Sequence, residues 1–120
     1  MQVTIKFLKA KNSRTTRELQ VMQHLAAFEN VHHPGYRHVA RLLDHFYHRS
    51  PNGEHLCLVL ERLGPTVKEV TSFDRRAKFL SLPQTRRISR QLLLAVDYIH
   101  SCGVVHGGTC APPTMVTSLC

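Results

Sequence analysis

The sequence predicts an α+β fold: a three-stranded antiparallel sheet with one helix packed on it, then a second, longer helix. Residues 3–8 alternate apolar and polar in a β-prone run, the period of a strand. Residues 39–48 and 55–63 are apolar-rich runs separated by a turn that contains Pro51-Asn52-Gly53, a strong hairpin signal. Residues 13–28 and 86–101 instead carry apolar side chains at steps of three and four, the period of a helix.

In the first strand Lys6 shares a face with Thr4 and Leu8, opposite Val3, Ile5 and Phe7. A lysine there serves equally well as a solubility device on an edge strand. The first helix, residues 13–28, takes Thr15 or Thr16 as its cap and Leu19, Met22, Leu25 and Ala26 as its apolar stripe. Asn30 and His33-Pro34-Gly35 end it. Glu18 lies early in this helix, beside the stripe, where the helix dipole alone favours an acid by a few tenths to about 1 kcal/mol. In residues 55–63, Leu56, Leu58 and Leu60 face one way and Cys57 and Val59 the other, so this strand is expected to be buried on both faces. Residues 65–70 suit one or two helical turns, and residues 71–82 read as a basic loop.

The long helix has Ile88, Leu92, Ala95, Val96 and Ile99 on its apolar face and Arg87, Arg90, Gln91, Asp97 and Ser101 on the other. Thr85, after Pro83, is the expected N-cap, and Gly103 the left-handed residue that ends the helix ahead of a short strand at Val104-Val105. Its apolar face is expected either to fold back on the three-stranded sheet or to stay exposed and adhesive. After His106 the apolar period stops, and Pro112-Pro113 excludes a helix.

The chain has 120 residues, room for one domain, and its 42% apolar content is that of a packed protein. No apolar run reaches the ~18 residues of a membrane span. The N-terminus, MQVTIKFLKAK, is too short and basic for a signal peptide, so a cytoplasmic or nuclear protein is expected. Four cysteines without CxxC spacing read as reduced thiols. The nine histidines do not form a metal pattern: His45 and His48 point to opposite faces of a strand, and His32-His33 are adjacent in a loop. The formal charge of +8 is spread over several segments without interleaved aromatic platforms, which favours solvated surface over nucleic-acid binding.

Several stretches resemble a known family. Val3-Thr4-Ile5-Lys6 resembles the strand of protein kinases whose lysine holds the α- and β-phosphates of ATP. RELQVMQHL, from Arg17, resembles the helix whose glutamate pairs with that lysine, here Glu18. HLCLVLERLG, from His55, resembles the strand and hinge of the SR-protein (serine/arginine-rich-protein) kinases, and QLLLAVDYIHSCGVVHG, from Gln91, resembles the helix leading into their catalytic loop. The resemblance covers residues 3–106 and implies a partial kinase domain. Residues 1–63 would be a small-lobe remnant, with the family's strands 3–5 and one helix, ending in the hinge. Residues 64–106 would begin the large lobe, and residues 107–120 would be an irregular tail unlike the family.

By the same resemblance Leu60 is the gatekeeper, and backbone groups of Glu61 and Leu63 meet the adenine edge, so Lys6, Glu18, Leu60, Glu61 and Leu63 form the expected ATP site. The catalytic aspartate position carries Gly108, the loop lysine falls at Cys110, and the metal-binding asparagine falls at Pro113. No Gly-rich loop precedes Lys6, and the magnesium ligands of the intact family are missing. ATP is therefore expected to bind weakly and phosphate transfer to fail. The SR-kinase reading also sits uneasily with only eight acidic residues, since an Arg-rich substrate needs an acidic groove. Two functions follow: a fragment of an SR-protein-kinase-like serine/threonine kinase, or a non-catalytic remnant that binds protein partners or itself through the Ile88–Ile99 face. A small basic nucleic-acid binder is the lesser reading.

Overall fold

The computed structural model describes residues 1–73 and 79–105. Its elements are β1 (Val3–Phe7), α1 (Ala10–Ser13), α2 (Glu18–Phe28), a 3-10 turn (Tyr36–His38), β2 (Leu42–Ser50), β3 (Gly53–Glu61), α3 (Val67–Phe73) and α4 (Leu82–Ser101). The expected α+β fold with a three-stranded antiparallel sheet is present, in the strand order β1-β3-β2. The chain divides into two compact units. One takes Met1–Glu29 with Arg41–Arg62, the other Asn30–Ala40 with the residues from Leu63 onward.

In the first unit β3 is the central strand. Leu56, Cys57 and Leu58 are fully buried and Leu60 nearly so, as expected of a strand covered on both faces. Burial also pushes the Cys57 thiol up from its ordinary pKa. The strands are shifted about two residues toward the turn from the apolar pattern: residues 39–41 lie outside β2, and the pair Ser50–Gly53 closes a two-residue turn, Pro51-Asn52. Proline fixes a negative φ, so the turn with two positive φ values cannot form here, and the positive φ (117°) falls on Gly53 instead.

The alternation in β1 is as expected, but its apolar side is the open one. Val3, Ile5 and Phe7 are 41%, 43% and 62% exposed, whereas Thr4 and Lys6 are half-buried and Leu8 is buried.

Of the expected helix over residues 13–28, residues 18–28 form α2, and Ser13 instead ends a separate turn, α1. α1 is a single turn whose Ser13, buried, donates to the Lys9 carbonyl (3.0 Å) and accepts the Leu56 amide (2.9 Å). With its hydroxyl committed to β3, Ser13 ends one element instead of starting the next. α2 begins at Glu18, whose amide donates to Oγ1 of Thr16 (3.1 Å). Leu25 is buried and Val21 and Met22 half-buried, but Ala26 is exposed, so the inner stripe is rotated away from it.

In the second unit α3 makes the one or two turns expected, ending at Phe73 instead of residue 70, and carries an unforeseen reciprocal cap. The Thr66 amide donates to Glu69 Oε2 (2.6 Å) and the Glu69 amide to Thr66 Oγ1 (3.1 Å). These bonds hold the Glu69 carboxyl below its usual pKa range. Residues 74–78, within the expected basic loop, and everything after residue 105 lie outside the described residues.

The cap of α4 is Ser81, four residues before the expected Thr85. Ser81 accepts the Gln84 amide (3.3 Å) while the Gln84 side chain accepts the Ser81 amide (2.9 Å), and Pro83 sits in the first turn. Thr85 is inside the helix and donates its hydroxyl to the Ser81 carbonyl (3.0 Å). At the other end Gly103, at φ 77°, makes the expected stop. Its amide donates to the His100 carbonyl (2.9 Å), and the Val104 amide donates to the Ile99 carbonyl (3.0 Å). This closure uses Val104, and no strand forms at Val104-Val105.

The buried stripe of α4 is Gln91, Ala95, Tyr98 and Ile99, continued by Cys102. Gln91 was expected on the wet face, and Leu92, expected inside, is 39% exposed. What turns the helix is the segment Asn30–Ala40, a packing partner that neither expectation for this face included. Gly35 lies against the α4 backbone so closely that a Cβ there would sit 1.8 Å from the Leu94 carbonyl oxygen. Tyr36 meets Tyr98 edge-on (ring centroids 5.7 Å apart) and His33 tilts against the same ring at 5.4 Å. His33 Nδ1 accepts the Gly35 amide (3.0 Å), which leaves Nε2 as the donor toward Asp97 Oδ2, 3.3 Å away. Burial, then the neighbouring Cys102 side chain, push the Tyr98 hydroxyl up to about 12. No hydrogen bond of ordinary geometry satisfies that hydroxyl, nor Gln91 Oε1 or His38 Nδ1.

Candidate functional site

Lys6 and Glu18 are brought together by the sheet and the first turn of α2. The Nζ–Oε1 distance is 2.5 Å and each side chain is 34% exposed. The pairing depends on the strand period, which turns Lys6 to the inner face, and on the Thr16 bond that starts α2 one residue before Leu19. Such a partly solvated pair contributes only about 0.2–1 kcal/mol to stability, so its interest is the fixed position of an ammonium group.

Lys6 stands directly opposite Leu58, and Thr4 opposite Leu60, so Leu60 shares the Lys6 face. Its side chain, 2% exposed, forms part of the packed interior. His45 lies across β3 on the same face, opposite Leu58.

Glu61 ends β3 in a clamp that the sequence did not disclose. Its amide donates to the Arg41 carbonyl (3.2 Å), its Oε1 accepts the Arg41 amide (3.3 Å), and its Oε2 lies 3.4 Å from Arg41 Nε. The ladder explains the direction. The Leu8 amide bonds the Leu56 carbonyl (2.9 Å), and alternation from there makes Val3–Glu61 a non-hydrogen-bonded pair, so the Glu61 backbone turns toward Arg41. Leu63 belongs to the second unit. Gly108, Cys110 and Pro113 lie outside the described residues.

Among the described residues no group of three or more His, Cys, Asp or Glu side chains is placed to hold a metal ion. No described helix is long and apolar enough to cross a membrane. An open groove in the second unit is lined by Thr85, Arg86, Ser89, Arg90, Leu93 and Asp97, and none of the expected site residues contributes to it.

A lysine strand, a glutamate helix paired to it, a hairpin and a long following helix, in that order, are the parts of a protein kinase domain. The model of the protein kinase domain family matches residues 1–107, and the chain belongs to that family. Within it the resemblance is to kinases of the SRPK type. Protein kinase dsk1 of Schizosaccharomyces pombe is 36% identical over 91 residues, which cover 74% of this chain and 16% of that protein. Serine/threonine-protein kinase SKY1 of Saccharomyces cerevisiae is 36% identical over 93 residues, 74% of this chain and 12% of its own length. Serine/threonine-protein kinase SRPK of Physarum polycephalum is 35% identical over 69 residues, 57% of this chain and 16% of its own. The chain therefore spans less than a fifth of each of these relatives.

Kinases of this family use ATP with magnesium ions. The residues in place fit the nucleotide on one count: Lys6, about one-third exposed and held by Glu18, supplies an ammonium group; Leu58 and Leu60 beside it are buried in the interior. For the metal, no cluster of ligating side chains is present among the described residues; Gly108 and Pro113, where the resemblance would put the catalytic aspartate and the metal-binding asparagine, lie beyond the matched residues 1–107.

Proposed function

We propose that this polypeptide is part of an SR-protein-kinase-like serine/threonine kinase that keeps the nucleotide-facing charge pair but does not itself transfer phosphate. The observation that carries the reading is the Lys6–Glu18 pair, formed between β1 and α2 with only solvated surface charge to explain it otherwise. In the intact family ATP supplies the phosphoryl group. Here Lys6 would hold a phosphate oxygen by a charge-assisted hydrogen bond, and Glu18 would fix the lysine's position.

Transfer fails for a reason inside the chain. Gly108 has no carboxylate to accept the substrate hydroxyl's proton, a loss of roughly 10²–10⁴-fold. Pro113 has no donor atom for a metal ion that would offset charge on the transferring group. The test is phosphate transfer from labelled Mg-ATP to an Arg-Ser peptide. The expected result is no incorporation above that of Lys6→Ala. Incorporation that Lys6→Ala abolishes would refute the inactive reading.

A second reading is supported by the outer side of α4, where Leu92 is 39% and Leu93 70% exposed. Such a strip suits protein contact, including self-association. Size-exclusion chromatography should show association that Leu92→Gln with Val96→Gln reduces. A clean monomer with a cooperative melt would count against this role.

A further inference from the structure

We propose that Ser50 and His55 are a nucleophile and its general base, which together take the acyl group of a small activated ester onto the Ser50 hydroxyl. Both residues lie at the turn end of the hairpin formed by β2 and β3, and both are half-buried. Ser50 Oγ is 2.8 Å from His55 Nε2, and His55 Nδ1 is 2.9 Å from the Leu8 carbonyl oxygen. That carbonyl can only accept, so the proton of the neutral imidazole sits on Nδ1 and Nε2 is left as an acceptor. The Ser50 hydroxyl therefore donates to Nε2. Its other acceptor, the Gly53 carbonyl, is 3.5 Å away and too distant to compete. A hydroxyl bonded to a base whose second nitrogen is fixed by a third group is the arrangement that activates serine. By strand alternation His55 lies on the sheet face opposite that of Leu58 and Lys6, so the pair is separate from the Lys6–Glu18 site.

The surroundings hold both groups in place. Pro51 fixes one turn dihedral, and α1 backs the turn so closely that a Cβ on Gly53 would lie 3.0 Å from Ala10 Cβ. The Asn52 amide donates to Ser50 Oγ (3.2 Å), which leaves the second lone pair of that oxygen for attack. The charged and titratable neighbours are His48, across the ladder from His55, and Glu54, which is opposite Arg49 and 3.1 Å from Arg14. As Oγ bonds to the ester carbonyl carbon, its proton passes to His55 Nε2. The tetrahedral intermediate then expels the alkoxide or phenoxide, which takes that proton and departs as the alcohol or phenol. Ser50 keeps the acyl group as an ester, and the imidazole returns to its neutral Nδ1–H form. A short acyl group with a good leaving group suits a solvent-facing turn, where a substrate is gripped by little more than the reacting atoms.

The test is acetylation of the full chain by para-nitrophenyl acetate at pH 8, where an ordinary imidazole is neutral. Samples are quenched in acid and the rate at each hydroxyl is read by peptide mass mapping, with Ser89, exposed on α4, as the internal reference. General-base assistance is worth about 10²–10⁴-fold, so Ser50 should react at least about 10²-fold faster than Ser89. If water then removes the acetyl group, the same chemistry appears as para-nitrophenol release that Ser50→Ala abolishes. His55→Asn puts an amide nitrogen near the place of Nδ1, which keeps a donor toward Leu8 but removes the base, and should erase the advantage of Ser50. If that variant does not fold, the wild-type comparison decides alone. Ser50 reacting no faster than Ser89, with no release that depends on Ser50, would overturn the proposal. So would an undiminished Ser50 rate in folded His55→Asn.

Discussion

Replacing Gly35 with alanine tests the docking of Asn30–Ala40 on α4. Gly35 has ordinary helical dihedrals (φ −80°, ψ −13°), so the backbone would accept alanine and even gain about 0.4–1 kcal/mol from the stiffer unfolded chain. The obstacle is space. The new Cβ would lie 1.8 Å from the Leu94 carbonyl oxygen, 2.6 Å from its carbon and 2.8 Å from Tyr98 Cβ. Restoring ordinary contact near 3.5 Å requires a displacement of roughly 1.7 Å against helix backbone, which cannot rotate aside as a side-chain tip would. Overpacking of this kind costs about 1–3 kcal/mol or more, and separation also forfeits about 0.5–1.5 kcal/mol of the Tyr36–Tyr98 edge contact. A net loss of about 3 kcal/mol is expected, which at ~1–3 kcal/mol per molar urea lowers the midpoint by about 1–3 M. The chain has three tyrosines and no tryptophan, and two of the three are at this contact, so tyrosine fluorescence reports on it directly. Gly64→Ala, where a Cβ meets nothing within 4 Å, is the control and should stay within about 0.5 kcal/mol of wild type. A Gly35→Ala midpoint equal to or above wild type would refute the steric reasoning by its sign.

Ser13→Ala should cost about 1–3 kcal/mol in urea unfolding, because it strands the buried Leu56 amide. Ser81→Ala should cost about 0.5–2 kcal/mol and appear as faster amide exchange in the first turn of α4. Burial lowers the His38 pKa in the folded chain below the usual 6.5. The unfolded chain therefore takes up the proton first, so this contribution to stability is complete above pH 6.5 and is lost as pH falls below it. Urea midpoints between pH 7.5 and 5 should fall less steeply in His38→Gln than in wild type.

What was legible in the sequence was local. The β3 pattern gave burial on both faces because a central strand needs little more than a continuous apolar run, and Gly103 marked the end of α4 because a positive φ there suits few other residues. Lys6 and Glu18 were found through resemblance to kinases, since neither an edge-strand lysine nor a first-turn acid announces a partner twelve residues away. The failures share a cause in tertiary structure. Nothing local shows that the Ser13 hydroxyl is taken by Leu56, which leaves Ser13 in α1 and the expected helix to begin at Glu18. Nothing in α4 shows that Gly35 will press on Leu94, which draws Gln91 inward and leaves Leu92 half in water. The Ser81–Gln84 cap is different. Its Ser-x-x-Gln spacing was readable, and the apolar period, which starts later, obscured it.

The first unit is not continuous along the chain. It breaks off at Glu29 and resumes at Arg41, and the excursion between belongs with α4. On a growing polypeptide this imposes a schedule. β2 and β3 can pair within about 1–10 μs once both have emerged. Gly35 and Tyr36, however, must wait for Leu94 and Tyr98, made roughly sixty residues later, about 3–12 s at ~5–20 residues per second. Once β3 has been made, and until α4 follows it, Tyr36, Val39 and Ala40 are without the α4 surface. The stretch is expected to be cleaved by proteases until then, and its protection should mark the completion of α4.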